Sequence, residues 1–385
     1  MSRPRMRCAE LRPPTRRRGD RAWSRARTSA LLWSALIGWI GCDSPFFEIY
    51  DGGQDPIRAD AGAEAACAEI AVGRRAVPGL PPQSDIWLAA PVGSASVIIA
   101  AGEPARYFSV STDGAPEEVI GVGAAGFAPR AAWVDGDVLW LAGMSGAVAR
   151  ADLDPARRPG TIRVVGTSTF GETIVALEGV PGTDELWVLS EGTHAGRVAR
   201  YDGASFASLW VGPELGPDAR GGMGLARSPA GEVFALPLGA TCRGRARCIL
   251  RFDRDGAHEE ALESTEPPST LASLPGWGMI AGTERGQVLL REGASWRPVA
   301  GSPLLSSEET RAIWTKQLVP FGDSVVLLSD LYWMELARDL QYCPWQRTSF
   351  FSNFDFTRGG VRLGPNVLLF GRPAGATEIA VAFVR

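Results

Sequence analysis

A short phrase recurs along this chain: a tight turn of Pro, Gly and acidic residues, followed at once by an apolar strand. It reads Val134-Asp135-Gly136-Asp137-Val138-Leu139-Trp140, Pro181-Gly182-Thr183-Asp184-Glu185-Leu186-Trp187, Pro229-Ala230-Gly231-Glu232-Val233-Phe234, Pro275-Gly276-Trp277-Gly278-Met279-Ile280, Phe321-Gly322-Asp323-Ser324-Val325-Val326 and Gly364-Pro365-Asn366-Val367-Leu368. An earlier copy with a weaker turn is Pro82-Gln83-Ser84-Asp85-Ile86-Trp87. The large apolar residue of each copy falls at 87, 140, 187, 234, 279, 326 and 368, at intervals of 53, 47, 47, 45, 47 and 42. Seven units of one architecture are expected.

Units of roughly 40 to 50 residues built from strands bury their faces only against one another, and a closed ring is the way they do so. The expected fold is therefore all-β, a seven-bladed β-propeller, with six or eight blades as the neighbouring solutions. A chain of 385 residues with 45% hydrophobic content could form several ordinary domains, but the repeat favours one ring. Its 46 Gly, 28 Pro and 13 Trp supply the turn formers and large rings that hairpins and blade packing need.

Within a unit, an inner strand such as Arg130-Ala131-Ala132-Trp133-Val134 or Thr173-Ile174-Val175-Ala176-Leu177 precedes the turn. A third strand follows the apolar one and ends in an acid-Gly turn, as in Gly196 to Phe206 and Gly286 to Trp296, which align residue for residue. A third relative runs from Cys248 to Gly256. The pattern resembles the degenerate propeller repeats of bacterial secreted proteins over residues 68 to 385. It lacks both the Trp-Asp dipeptide that ends some propeller blades and the paired glycines of kelch repeats.

Three segments are expected: a basic region with a signal segment (1–41), an acidic spacer (42–66) and the propeller (67–385). Ten Arg stand against Glu10 and Asp20 in the first, so its removal takes the net charge from −4 to −12. An acidic mature chain speaks against nucleic acid as a partner, because phosphate neutralisation needs surplus cations on the folded part. The run Ala30-Leu31-Leu32-Trp33-Ser34-Ala35-Leu36-Ile37-Gly38-Trp39-Ile40-Gly41 is short for a membrane span and fits the core of a secretory signal. It ends in Ile40-Gly41-Cys42, which resembles a bacterial lipobox; Trp39 departs from that pattern, where an aliphatic residue is usual. The resemblance implies lipidation of Cys42, and the alternative is an uncleaved anchor helix. Either tethers the chain to a membrane. Asp43 resembles the inner-membrane retention residue of enterobacterial lipoproteins, a rule that varies between bacterial groups, so inner and outer membrane both stay open. The stretch from Asp51 to Ala66 has little apolar patterning and reads as a flexible spacer.

Six cysteines stand at 8, 42, 67, 242, 248 and 343. Removal of Cys8 and lipidation of Cys42 leave four in an oxidising compartment. Cys242 and Cys248 fall between two strands of one blade and are expected to pin that loop. Cys67 and Cys343 would then join the start of the domain to the sixth blade, stabilising it by about 4 kcal/mol or more on loop entropy; two separate buried thiols are the alternative. The ring is expected to close by adding Glu69-Ile70-Ala71-Val72 to the last unit, beside Glu378 to Val384.

Chemical motifs are weak. Gly121-Val122-Gly123-Ala124-Ala125-Gly126 matches the dinucleotide fingerprint, but Phe127-Ala128-Pro129 leads into a strand where that motif requires a helix, so an interblade loop is expected. Asp253-Arg254-Asp255-Gly256 lacks the further ligands of a calcium loop and reads as a hairpin turn. The two histidines, His194 and His258, are both expected in loops, and no zinc set can be built from them. No Gly-x-Ser-x-Gly elbow or Ser-x-x-Lys motif occurs. Trp87, Trp140 and Trp187 hold blade register and read as packing, whereas Trp277, Trp314, Trp333 and Trp345 sit off it and are candidates for an exposed binding surface. No catalytic residue, metal or cofactor is assigned. The expectation is a monomeric, lipid-anchored, extracytoplasmic binding or scaffolding module of the bacterial cell envelope. Its protein or glycan partner would meet the central opening or the loops of one face. A propeller enzyme (lyase, lactonase or cyclotransferase-like hydrolase) is the alternative.

Overall fold

The computed structural model describes residues 70–82, 84–119, 127–192, 196–213, 224–237, 240–242, 245–246, 248–253, 256–299, 315, 317–321, 324–329, 332–337, 342–347, 356–372 and 377–384. The expected signal segment and spacer, with Cys8, Cys42 and Cys67, lie outside them. So do Gly121 to Gly126, His194 and Trp314.

The chain opens with β1 (Ile70–Ala76) and then forms seven blades in succession. Blade 1 is β2 (Ile86–Pro91), β3 (Ser96–Ala101), β4 (Arg106–Ser111) and β5 (Glu117–Glu118). Blade 2 is β6 (Pro129–Asp135), β7 (Val138–Gly143), β8 (Ala147–Asp152) and β9 (Arg163–Thr167). Blade 3 is β10 (Thr173–Gly179), β11 (Leu186–Glu191), β12 (Gly196–Tyr201) and β13 (Phe206–Val211). Blade 4 begins with β14 (Gly224–Arg227) and β15 (Val233–Leu236). It then sends out a short ribbon, β16 (Thr241–Cys242) and β17 (Arg245–Ala246), before β18 (Leu250–Asp253) and β19 (Gly256–Glu259). The edge piece β20 (Ala261–Leu262) pairs in parallel with the outer strand of blade 5. Blade 5 is β21 (Pro268–Leu274), β22 (Gly278–Thr283), β23 (Val288–Glu292) and β24 (Ser295–Pro298). Blade 6 is β25 (Gln317–Phe321), β26 (Ser324–Leu328), β27 (Tyr332–Leu336) and β28 (Tyr342–Arg347). Blade 7 is β29 (Phe356–Leu363), β30 (Asn366–Arg372), β31 (Glu378–Val384) and, as its outer strand, β1.

The inner strands meet in a complete circuit: β2 with β6, β6 with β10, β10 with β14, β14 with β21, β21 with β25, β25 with β29, and β29 with β2. The expected all-β, seven-bladed propeller is what the chain forms. Closure is as expected from the sequence: β1 pairs antiparallel with β31 from Ile70↔Val384 to Ala76↔Glu378. Arg75 extends the clasp to blade 1, donating to the carbonyls of Ser111 (2.9 Å), Thr112 (2.6 Å) and Gly114 (2.5 Å). Thr377 adds a second tie, accepting from the backbone N of Ser84 at 3.1 Å and donating to the Pro81 carbonyl at 3.0 Å.

The core lies between blades, and this explains the run of apolar residues in each second strand. Side chains alternate across a sheet, and here both faces are covered. Leu139 and Leu141 pack toward Ile98 and Tyr107 of blade 1, while Trp140 and Ala142 pack toward Leu186 and Tyr201 of blade 3. Phe234 and Leu236 likewise face Leu271 and Trp296 of blade 5, whereas Val233 and Ala235 face Trp187 and Leu189 of blade 3.

Two marks of the sequence ruler are displaced. Trp87 lies in β2, an inner strand, so the blade 1 counterpart of Trp140 is Ile98 of β3, which also faces the following blade. Met279 faces back toward blade 4 and its neighbour Ile280 forward toward blade 6, so the register residue of blade 5 is Ile280. The corrected series 98, 140, 187, 234, 280, 326 and 368 has intervals of 42, 47, 47, 46, 46 and 42. His258 is a further correction. It lies in β19 rather than in a loop, and its Nε2 is 3.0 Å from Asp253 Oδ1. The expected hairpin at Asp253 to Gly256 joins β18 and β19, with those two residues paired.

Candidate functional site

Antiparallel blades sort their connections to two ends of the ring. At the turn end, the inner strand passes to the second and the third to the outer. Gly136, Gly182, Gly231, Gly276 and Gly364 all hold positive φ there, between 52° and 89°, in the turns after inner strands. Only glycine takes that conformation without strain, so the recurring Gly of the phrase is a backbone requirement. At the other end the second strand passes to the third, and each blade passes to the next. The three longest connections, 212–223, 237–249 and 299–316, all leave from this loop end. The glycine-rich stretch from Gly121 to Gly126 joins outer strand β5 to inner strand β6, so its flanks are those of an interblade connection.

The inner strands share one irregularity. In five blades the pairing of inner and second strands slips by one residue at the same step, close to the loop end. The residues left out of the ladder are Trp87, Arg130, Val175, Ser269 and Arg358. The described inner strands of blades 4 and 6 start just past that step, at Gly224 and Gln317. A bulge sharpens the local twist and re-aims the extra side chain, and bulges gather at functional rims for that reason. Two of the five residues meet: the Arg130 guanidinium lies 3.7 Å above the Trp87 ring, and the Trp87 indole donates to the Gly102 carbonyl at 3.1 Å. Ser269 donates to the carbonyls of Gly282 and, at 2.7 Å, Thr315 beside blade 6.

Beyond this rim, Glu172 accepts from Ser190 at 2.6 Å and from Arg197 at 3.0 and 3.1 Å, and the Arg197 guanidinium lies 4.1 Å from the Phe170 ring. In blade 5, Ser264 donates to Gln287 at 2.6 Å and Arg285 to Glu266 at 2.9 Å. These groups satisfy one another and hold the loop-end stems in place.

Nearer the turn end, two contacts flank the inner strand of blade 3, one on each face. The Trp133 ring lies over the Cα of Gly179, so close that a Cβ there would fall 2.1 Å from it. Glu178, next to that glycine on β10, is half-buried with protein packed round its carboxyl. Burial pushes its pKa up to about 8, against a smaller opposing pull from Arg227 on β14. Arg227 makes no ion pair among the described residues, and its Nε is buried with no hydrogen-bond partner among them. Trp133 thus packs on the blade 2 side of this sheet, while Glu178 and Arg227 share the blade 4 side, where the pair can hold an anion and donate a proton. No group of three or more His, Cys, Asp or Glu able to hold a metal occurs among the described residues.

The residues singled out from sequence are scattered. Trp277 is half-buried against Leu274 and Ile280 in a turn of blade 5, away from the loop end. Trp333 lies on β27 and Trp345 on β28, and Cys343 on β28 pairs in register with Glu335. Cys242 pairs in register with Arg245 on the ribbon of blade 4, and Cys248 is buried where the chain returns to that blade. Sequence reasoning passed over Arg130, Trp133, Glu178 and Arg227. The signal available for two of them was a charge inside an otherwise apolar inner strand, as in Thr173 to Gly179.

Fold and closure together define a seven-bladed β-propeller. No protein family and no curated protein matches the chain. Solved structures do resemble it. A YCF48 structure bound to D1 peptide is 13% identical, covering 82% of this chain and 95% of that one at a TM-score of 0.55. YCF48 from Cyanidioschyzon merolae is 11% identical, covering 81% and 98% at 0.53. The WD40 propeller domain of Doa1 is 10% identical, covering 80% and 97% at 0.51. Identities this low establish the shared fold.

Proposed function

We propose that the protein is a membrane-tethered, extracytoplasmic binding module whose inner-strand wall receives a segment of a protein partner. The observation that carries this reading is the repeated bulge at the loop-end rim, which turns Trp87 and Arg130 out of the ladder and stacks them together. An aromatic–cation pair on a rigid rim is a common element of recognition surfaces. A similar propeller was solved with a peptide bound, which supports a polypeptide as the partner class. Tethering rests on the lipobox-like Ile40-Gly41-Cys42. In the same oxidising setting Cys242 would bond Cys248, and Cys67 would bond Cys343 near the closing strand. We further propose that the protein acts as a monomer, since the ring closes within one chain.

The test is recovery of partner from envelope extracts with the intact protein and with Trp87→Ala and Arg130→Ala. The reading requires a specific polypeptide whose recovery falls in both variants. Equal recovery with all three proteins contradicts it. Mass spectrometry of the mature N-terminus tests the tether: a diacylated or triacylated Cys42 supports it, and an unmodified Cys42 within an intact precursor refutes it.

One observation favours a second reading. A carboxyl with a pKa of about 8 on an inner strand, as at Glu178, is equipped for general acid chemistry. Turnover of a lactone or ester that Glu178→Gln abolishes would favour the enzyme.

A further inference from the structure

We propose that Arg227 and Glu178, brought together on the inner strands of blades 3 and 4, form a site for a ligand carboxylate. The inference rests on the reading that the inner-strand wall is the binding surface, and it names the chemistry that this wall accepts.

The unmet need is on Arg227. Arginines of blades 3, 4 and 5 nearby are occupied: Arg197 by Glu172, and Arg251 and Arg291 by Glu232 and Glu260. Arg227 has no such pair, and its buried Nε has no partner among the described residues. A buried donor left unsatisfied costs free energy that an incoming acceptor recovers. Glu178, the acid that feels the charge of Arg227, does not cancel it. Burial keeps Glu178 protonated at neutral pH, so it offers an O–H donor beside a guanidinium. Asp135, on the inner strand of blade 2, accepts from the backbone N of Gly182 at 2.6 Å.

One guanidinium and one neutral carboxyl present a single positive charge with donors from two strands. A carboxylate matches that set, with one negative charge and two acceptor oxygens, and charge-assisted bonds of this kind are the strong ones. A phosphate dianion would meet only half the countercharge it needs, and an ammonium would be repelled by Arg227. Trp187, paired with Glu178 across the ladder and packed toward blade 4, lies on the same face of the sheet as Glu178. The carboxylate has two possible sources, a small free acid or an Asp or Glu side chain of a polypeptide.

The test titrates the intact protein with acetate, succinate, an acetylated and amidated Ala-Asp-Ala peptide, and inorganic phosphate. The readouts are the Arg227 Nε–H resonance and tryptophan fluorescence. Saturable shifts of that resonance with the carboxylates are expected, and the peptide binding more tightly than acetate would identify a polypeptide source. Arg227→Gln should weaken binding by about tenfold or more, since a hydrogen bond to a charged group is lost, with partial rescue in Arg227→Lys. Glu178→Leu, which removes the O–H donor and leaves the position uncharged, should weaken binding, though less than Arg227→Gln. The proposal is overturned by an unmoved Arg227 resonance, by equal binding in Arg227→Gln, or by phosphate outcompeting every carboxylate. Should Arg227→Gln fail to fold, the resonance in the natural protein decides alone. Partner recovery that survives Arg227→Gln, with no carboxylate binding, overturns this site and leaves the binding-module reading standing.

Discussion

Arg130 stacks its guanidinium 3.7 Å above the ring of Trp87, although 43 positions separate them in the chain and each belongs to a different blade. The contact exists because both residues are left out of their ladders at the same step, on neighbouring inner strands. Packing alone does not require this, since each strand continues its apolar face on either side of the slip.

Gly179 is fixed by the ring of Trp133. A Cβ at this position would lie 2.1 Å from the indole, so Gly179→Ala must push the ring or the strand aside. The expected cost is about 1–3 kcal/mol, in the range of overpacked cores. Urea unfolding of the two proteins measures it. Equal midpoints would mean that Trp133 swings away freely.

Glu178 makes stability depend on pH. Its carboxyl titrates at about 8 in the folded chain against an ordinary value of 4.5. Between those values the folded state holds a proton that the unfolded state has released, so stability falls as pH rises. This contribution is complete below about pH 4.5 and gone above about pH 8. Glu178→Gln should flatten that part of the profile and raise the melting temperature most at the alkaline end. A natural protein whose melting temperature climbs steadily from pH 5 to 8, unaltered by the substitution, would contradict the assignment.

The ring is closed without a covalent bond among the described residues of β1 and β31, so its clasp should be sensitive. Arg75 donates to three carbonyls of the blade 1 turn. Arg75→Ala should cost about 1–3 kcal/mol, because charge-assisted bonds to backbone are lost at a partly buried site. Hydrogen exchange should show faster exchange along Ile70–Ala76 and Glu378–Val384 than elsewhere. Uniform acceleration over all blades would mean that the seam is not the weak point.

Much of the architecture was legible because blades repeat one physical problem. The tight turns need glycine at positive φ, and the second strands are buried on both faces, so turn and strand recur together. The same double burial erased the alternation that fixes register, which is why Met279 stood in for Ile280. Blade 1 misled for a related reason: β2 is itself an apolar strand after a proline-rich stretch, and its true turn, Val92 to Ala95, lacks the phrase. The closing strand at Ile70 could be anticipated because seven inner strands leave the last blade one strand short. The candidate site could not. Glu178 and Arg227 lie on successive blades, and no local pattern says that stacking of those blades brings them to one face.

The central claim is that the inner-strand wall, and not the outer edge, meets the partner. Val175 and Val164 offer a matched pair, the first a bulged residue of the inner wall and the second an exposed residue of an outer strand. Each can be replaced by a photo-crosslinking amino acid and irradiated in intact envelopes, with unlabelled protein as competitor. The account predicts a discrete, competable polypeptide adduct from position 175 and none from 164. Adducts from 164 alone, or none from 175, would contradict it.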